Sequence, residues 1–196
     1  MFDNFQKHLR SRVEISTAEM DLILSRINVR QFKKRTIIVK AGEVCRFQGY
    51  IDKGCIRMFY TDEKGHEHVV YFGFEDWWMG DISSFVTGQP ADYSIEALED
   101  TIIFFFDRDD MEWLYSKVPQ LERSFRILVQ GALISLQKRL VATMSSNAEV
   151  RYSQLLQRFP SIELRVAQHY LASYLGITPE ALSRVKKSII EKEKKH

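Results

Sequence analysis

The chain has 196 residues, and its 28 Lys and Arg against 26 Asp and Glu, with 45% hydrophobic residues, exclude a wholly disordered polypeptide without naming a function. The charge is unevenly spread: residues 147–196 hold nine Lys and Arg, five Glu and no Asp, a net +4, so residues 1–146 carry −2 and a polyanion would be drawn to one end. No run of about 18 uncharged apolar residues is present to cross a bilayer, and the opening MFDNFQKHLRSRVEIS lacks the apolar stretch of a signal peptide, so a cytoplasmic protein without a membrane partner is expected.

Ser16 and Glu19, three residues apart before Met20, Leu22, Ile23 and Ile27, have the spacing of a capping box and predict a short helix. Over residues 29–107 the period becomes strand-like, with breaks at Gly42-Glu43, Lys53-Gly54, Asp62 to Gly65 and Gly88-Gln89-Pro90. The runs IRMFY and HVVYF on either side of Asp62 to Gly65 form a hairpin, and many short strands at this spacing mean a sandwich, barrel or β-roll. Cys45 and Cys55 sit in no Cys-x-x-Cys pair or Cys/His cluster, which argues against a zinc finger or an iron–sulfur sensor and makes them small core residues. Trp77 and Trp78, with Phe72, Phe74 and Phe85, read as core, with stacking on a planar effector as the alternative.

Pro119 can open a long helix because the first helical position needs no amide partner. Along it Leu121, Phe125, Leu128, Ala132, Ser135, Arg139 and Ala142 recur near heptad spacing, a stripe that packs either on its own domain or on a second copy of the chain. Asn147 caps the next helix, with Val150, Leu155 and Leu156 apolar, and Phe159-Pro160-Ser161 ends it.

The most informative segment is YLASYLGITPEALSRVKK, from Tyr170 to Lys187. Ala172 lets two helices approach, Gly176 suits a left-handed turn, Thr178 offers a cap, Pro179 fits the first helical position and Glu180 complements the helix dipole. Leu171, Leu175, Ile177, Leu182 and Val185 close a small core, leaving Glu180, Ser183, Arg184 and Lys187 on another face. A glutamate accepts from cytosine N4 and an arginine donates twice to guanine, so the pair suits base reading in a major groove; alternatively Glu180 and Arg184 form an i,i+4 surface pair.

This segment resembles the helix-turn-helix of the Crp/Fnr family, in a short form without a wing. The β-rich region resembles that family's cyclic-nucleotide-binding-like β-roll, and the helix from Pro119 its dimerisation helix. The resemblance implies an α+β chain: a β-roll sensor domain with flanking helices at residues 1–116, a dimerisation helix at 117–145 and an all-α helix-turn-helix domain at 146–196. It implies a homodimeric transcription regulator on a palindromic DNA operator, with RNA polymerase as a further partner, no cofactor and no catalytic or metal residue. DNA contacts fall to Thr178, Glu180, Ser183, Arg184, Lys186 and Lys187, with the tail Glu193 to His196 adding phosphate contact; the dimer stripe comprises Leu121, Phe125, Leu128, Ala132, Ser135 and Arg139.

The effector slot falls on Gly80, Asp81, Ser83, Ala91, Asp92 and Tyr93. Cyclic-nucleotide-binding members carry Gly-Glu and then Arg-Ser there, whereas this sequence has Gly80-Asp81 and Ala91-Asp92. A lost arginine and a gained carboxylate oppose a phosphate, so any small-molecule effector is expected to be something other than cyclic AMP. Two other function classes fit less well: a metal-binding, cupin-like barrel enzyme built on His66, His68 and Glu75, which lacks a second histidine motif, and a dimeric ligand-binding or protein-interaction module, which leaves the Thr178 to Lys187 chemistry unexplained.

Overall fold

A computed structural model describes residues 1–193. The β-branched and aromatic run folds into β1 (Asn28–Phe32), β2 (Ile37–Val39), β3 (Phe47–Lys53), β4 (Ile56–Thr61), β5 (Glu67–Gly73), β6 (Trp78–Met79), β7 (Ser94–Ala97) and β8 (Thr101–Asp107). These make two antiparallel sheets, ordered β1-β8-β3-β6 and β2-β7-β4-β5. Between them lie Ile51, Ile56, Ile95, Ile103 and Phe105, the core of the expected β-roll. At the β3–β4 turn Gly54 has φ +111°, and a Cβ there would stand 2.4 Å from Thr101 Oγ1, so no other residue fits.

Strand β8 shows why TIIFFFD does not alternate. Ile103 and Phe105 enter the inter-sheet core while Phe104 and Phe106 enter a second core on the far side, so the strand is buried on both faces. That second core is covered by α1 (Asp3–Arg10), α2 (Thr17–Leu24) and α4 (Arg108–Lys117), through Phe5, Leu9, Met20, Ile23, Met111 and Leu114. The capping box at Ser16 and Glu19 forms as expected. Helix α1 was not anticipated; it is held by Phe5, whose ring meets Tyr50 edge-on at 4.9 Å, a burial worth about 2–3 kcal/mol.

Helix α3 (Ile82–Thr87) lies between β6 and β7, and the C-terminal helices are α5 (Pro119–Ser145), α6 (Ala148–Arg158), α7 (Ile162–Arg165), α8 (Gln168–Leu175) and α9 (Pro179–Glu193). Pro119 occupies the first turn of α5. A third core then joins the two halves of the chain: Cys55, Val69, Phe72 and Phe74 of the roll pack with Tyr152, Leu155, Ile162, Leu171 and Leu182. Burial pushes the Cys55 thiol up to about 12, which leaves it protonated and unreactive. Among the described residues no helix is long and apolar enough to cross a membrane.

His8 is buried edge-on against Tyr50, with Nε2 lacking a partner. Burial, with the charge of Arg12, lowers its pKa from 6.5 to about 4. The folded chain therefore keeps a neutral imidazole where the unfolded chain takes up a proton, so this stability is complete above pH 6.5 and fades as pH falls toward 4. Urea unfolding should show a loss of roughly 2 kcal/mol between pH 7 and pH 5 from this group. In His8→Phe that interval should be flatter, and an equal loss in the variant would contradict the assignment.

Candidate nucleic-acid interface

The helix-turn-helix is built by local backbone chemistry. Gly176 ends α8 in the left-handed region at φ +67°, and the Ile177 amide returns to the Ala172 carbonyl at 3.0 Å. Two residues on, Thr178 Oγ1 accepts from the Ala181 amide at 3.2 Å and Pro179 opens α9. Leu171, Ala172, Leu175 and Leu182 are buried beneath this turn, with Ile177 and Val185 packed against them. Asn147 caps α6 through the Val150 amide at 3.0 Å.

Thr178, Glu180, Ser183, Arg184 and Lys187 are exposed on the outward side of α9. The backbone amide at its own position, the Thr178 hydroxyl and Arg184 together hold the Glu180 carboxyl below its ordinary value, so it is an anion ready to accept. Arg184 enters no ion pair among the described residues, so the i,i+4 pairing with Glu180 is not made and its guanidinium is open to a ligand. Ser183 is more committed: its Oγ donates to the Pro179 carbonyl at 3.1 Å and accepts from Gln168 Nε2 at 2.6 Å, which leaves one lone pair. Lys187 stands 3.9 Å from Glu191, a loose and solvated contact.

Lys186 is a correction. It is half-buried, its Nζ lies 2.5 Å from Glu163 and over the Tyr152 ring, so it ties α9 to α7 and α6 instead of facing outward. The i+6 position from Glu180 rotates it to the inner side of the helix. The expected contact from Lys194, Lys195 and His196 lies outside the described residues.

The six slot residues differ in burial and in what they bond. Asp81 is buried as the cap of α3, with Oδ1 accepting the Ser84 amide at 2.9 Å and Oδ2 unpartnered. Ser83 points to solvent, and the buried serine is Ser84, which bonds the Cys45 amide and the Gln89 carbonyl. Ala91 is buried with its backbone bonded to Gly42 and Glu43, Asp92 is exposed, and Tyr93 packs on the inter-sheet core. Gly80 is close against Gln48 and the Phe47 carbonyl.

On α5 the expected dimer stripe is corrected as well. Leu121 is 1% exposed in its own core, and Phe125 packs edge-on against Trp78 at 5.4 Å. Ser135 accepts from Arg158 at 2.6 Å, and Arg139 donates to the Val70 carbonyl of β5 and, at 3.1 Å, to the Tyr174 carbonyl of α8. That side of α5, with Leu128 half-buried beside it, belongs to its own chain, while Ala132 remains exposed at its margin. The apolar side left open is Val129, Leu133, Leu136, Leu140 and Met144, again near heptad spacing.

Three arginines fasten the roll to the helices, and none was singled out for this role from the sequence. Arg57 is 3% exposed between Glu67 and Glu96, 2.6 Å from each, and lies over the Tyr170 ring of α8. Arg165 of α7 bonds both oxygens of Glu75 at 2.8 Å and also Glu99. Burial pushes the Glu75 carboxyl up, and the bonds from Arg165 and the Gly54 amide outweigh it and hold it below the ordinary range. Glu75 is thereby taken from the histidines, which pair with Asp62 instead, His68 at 3.0 Å. Arg139 is the third. Glu96, Tyr174 and Glu75 lie 39, 35 and 90 residues from Arg57, Arg139 and Arg165, so no local pattern marks these pairings.

A sequence profile of the cyclic nucleotide-binding domain family matches residues 29–118. The fumarate and nitrate reduction regulatory protein of Vibrio cholerae is 23% identical over 180 residues, covering 85% of this chain and 70% of its own length. Among solved structures, FixK2 from Bradyrhizobium japonicum superposes with a TM-score of 0.75 at 17% identity, over 85% of this chain and 86% of its own. CLP of Xanthomonas campestris, described as a c-di-GMP responsive global regulator, gives 0.75 at 13% identity, over 91% and 93%. With a β-roll, a long connecting helix and a glycine-turned helix-turn-helix in that order, the chain is similar along most of its length to transcription regulators of the Crp/Fnr type.

Proposed function

We propose that this regulator binds a two-fold symmetric DNA operator as a homodimer, with α9 in the major groove of each half-site and without cyclic AMP as effector. The observation that carries the reading is the outward face of α9, where an unpaired Arg184 stands one turn from an ionised Glu180 behind a rigid Gly176–Pro179 turn. Arg184 is assigned to guanine, Glu180 to cytosine N4, and Lys187 and Thr178 to phosphates. The second copy is assigned to the open side of α5, and half-sites are expected about one helical turn apart. The proposed division is a sensor at 1–116, the helix at 117–145 and the DNA-binding unit from 146. Promoter-bound, such a dimer would meet RNA polymerase. Cytoplasmic placement and the absence of enzymatic activity belong to the same reading.

Against cyclic AMP stands Ala91-Asp92, an exposed carboxylate and no arginine where cyclic-nucleotide-binding members carry Arg-Ser. A phosphodiester brought there gains no bidentate donor and meets like charge. Calorimetry with cyclic AMP and cyclic GMP should give no saturable heat, and submicromolar binding of either would overturn this part.

Arg184→Ala should cost about 1–3 kcal/mol on the operator recovered from a random DNA pool and relax discrimination at one base position per half-site. Lys187→Ala should weaken all sequences alike and lower the salt dependence. Equal losses on every sequence for Arg184→Ala would make it a backbone contact. For the dimer, sedimentation should give twice the 23.0 kDa chain mass, and Leu140→Glu, at an exposed position, should return the monomer. A monomeric wild type, with and without operator, would reject the docking side.

A further inference from the structure

Where the C-terminal half of α5 meets α6 and the end of α8, the helices line a solvent-open cavity of about 440 Å³. Four cations line it, Lys138 and Arg139 from α5 and Arg151 and Arg158 from α6, and no carboxylate does. None of the four enters an ion pair among the described residues. Elsewhere in this chain the arginines that join elements, Arg57 and Arg165, each hold two carboxylates. The cavity gathers four cations without one.

Neutral oxygens orient these groups without neutralising them. Arg151 donates to the Ser146 carbonyl at 2.5 Å and to the Leu175 carbonyl at 3.1 Å, Arg158 donates to Ser135 Oγ, and Arg139 donates to the carbonyls of Val70 and Tyr174. Arg151 Nε is buried with no acceptor. Burial, and then the charge of Arg158, push the Arg139 guanidinium below its ordinary value, the direction that uncompensated like charges produce. Such a set, preorganised and short of anions, matches the multiple oxygens of a phosphate chain, and the volume lies in the range of small-molecule sites.

The cavity and the open apolar side of α5 lie on different flanks of the helix. At 100° per residue, Lys138 and Ala142 lie on the flank of α5 away from Leu136 and Leu140.

We propose that this cavity binds a small, multiply charged phosphate compound, separate from the β-roll slot, and that the bound ligand ties α5 and α6 to the end of α8, fixing the helix that precedes α9. The same chemistry is offered by a DNA backbone, and the test separates the two sources. Calorimetry of the full chain with inorganic tripolyphosphate should give one saturable site per chain. Lys138→Gln and Arg158→Gln, at exposed positions that leave the cores intact, should each weaken it at least tenfold, and Arg184→Ala should leave it unchanged. Tripolyphosphate should also alter operator affinity of the wild type and have less effect on Arg158→Gln. Absence of saturable heat would overturn the proposal, as would equal weakening by Arg184→Ala. It would also fall if the two Gln variants reduced operator affinity and its salt dependence while tripolyphosphate left the wild type unbound, since the cavity would then hold DNA phosphate. The binding measurement does not depend on operator recognition, so it stands or falls apart from the reading of α9.

Discussion

Strand β5 ends its sheet, and an edge strand leaves a row of amides and carbonyls that must find partners. Here the partners come from the helical C-terminal part of the chain. Ser173 of α8 takes the Val69 amide at 2.9 Å and donates to the Glu67 carbonyl at 3.1 Å, and Arg139 of α5 donates to the Val70 carbonyl. Helix α8 therefore lies where another strand would add, and Phe72 and Phe74 fill the space beneath by packing on Tyr174 and Phe159. The position of α9 follows, because the Gly176 turn connects it rigidly to α8. The β4–β5 hairpin is thus in direct contact with the helix that precedes α9.

The charges divide into two populations. Those at the joint are compensated, as with Arg57 between Glu67 and Glu96 or Arg165 between Glu75 and Glu99, and their net contribution to stability is small because desolvation offsets attraction. Their value is geometric, since removing one partner strands the other in a place that fixes two elements. Arg184 and Lys187 on α9 and the four cations of the interhelical cavity are left without buried carboxylates, and these are the surfaces assigned to phosphates and bases. Compensation inside and its lack outside is the arrangement expected where affinity for a polyanion comes from released counterions.

Structure that is set by a few adjacent residues is legible in the sequence. Gly176, Thr178 and Pro179 impose their turn through their own dihedrals and caps, as do Ser16 with Glu19 and Pro119. The strand region was legible from its breaks. Reading failed where one periodic pattern admits two packings. Helix α5 is apolar around most of its circumference, so Leu121, Phe125 and Leu128 form one stripe and Val129, Leu133, Leu136 and Leu140 another, and periodicity alone does not say which is filled at home. Asp81 was placed in a ligand slot because of its position, yet its carboxylate serves the Ser84 amide. The fastening arginines and Ser173 act across distances in the chain that only the fold brings together.

Selection of bound sequences from a random DNA pool by the wild-type chain tests the account most directly. It predicts enrichment of a single two-fold symmetric sequence whose half-sites lie about one helical turn apart, centre to centre. Failure to enrich any sequence over the starting pool, or recovery of one unsymmetric site bound by a single chain, would contradict it.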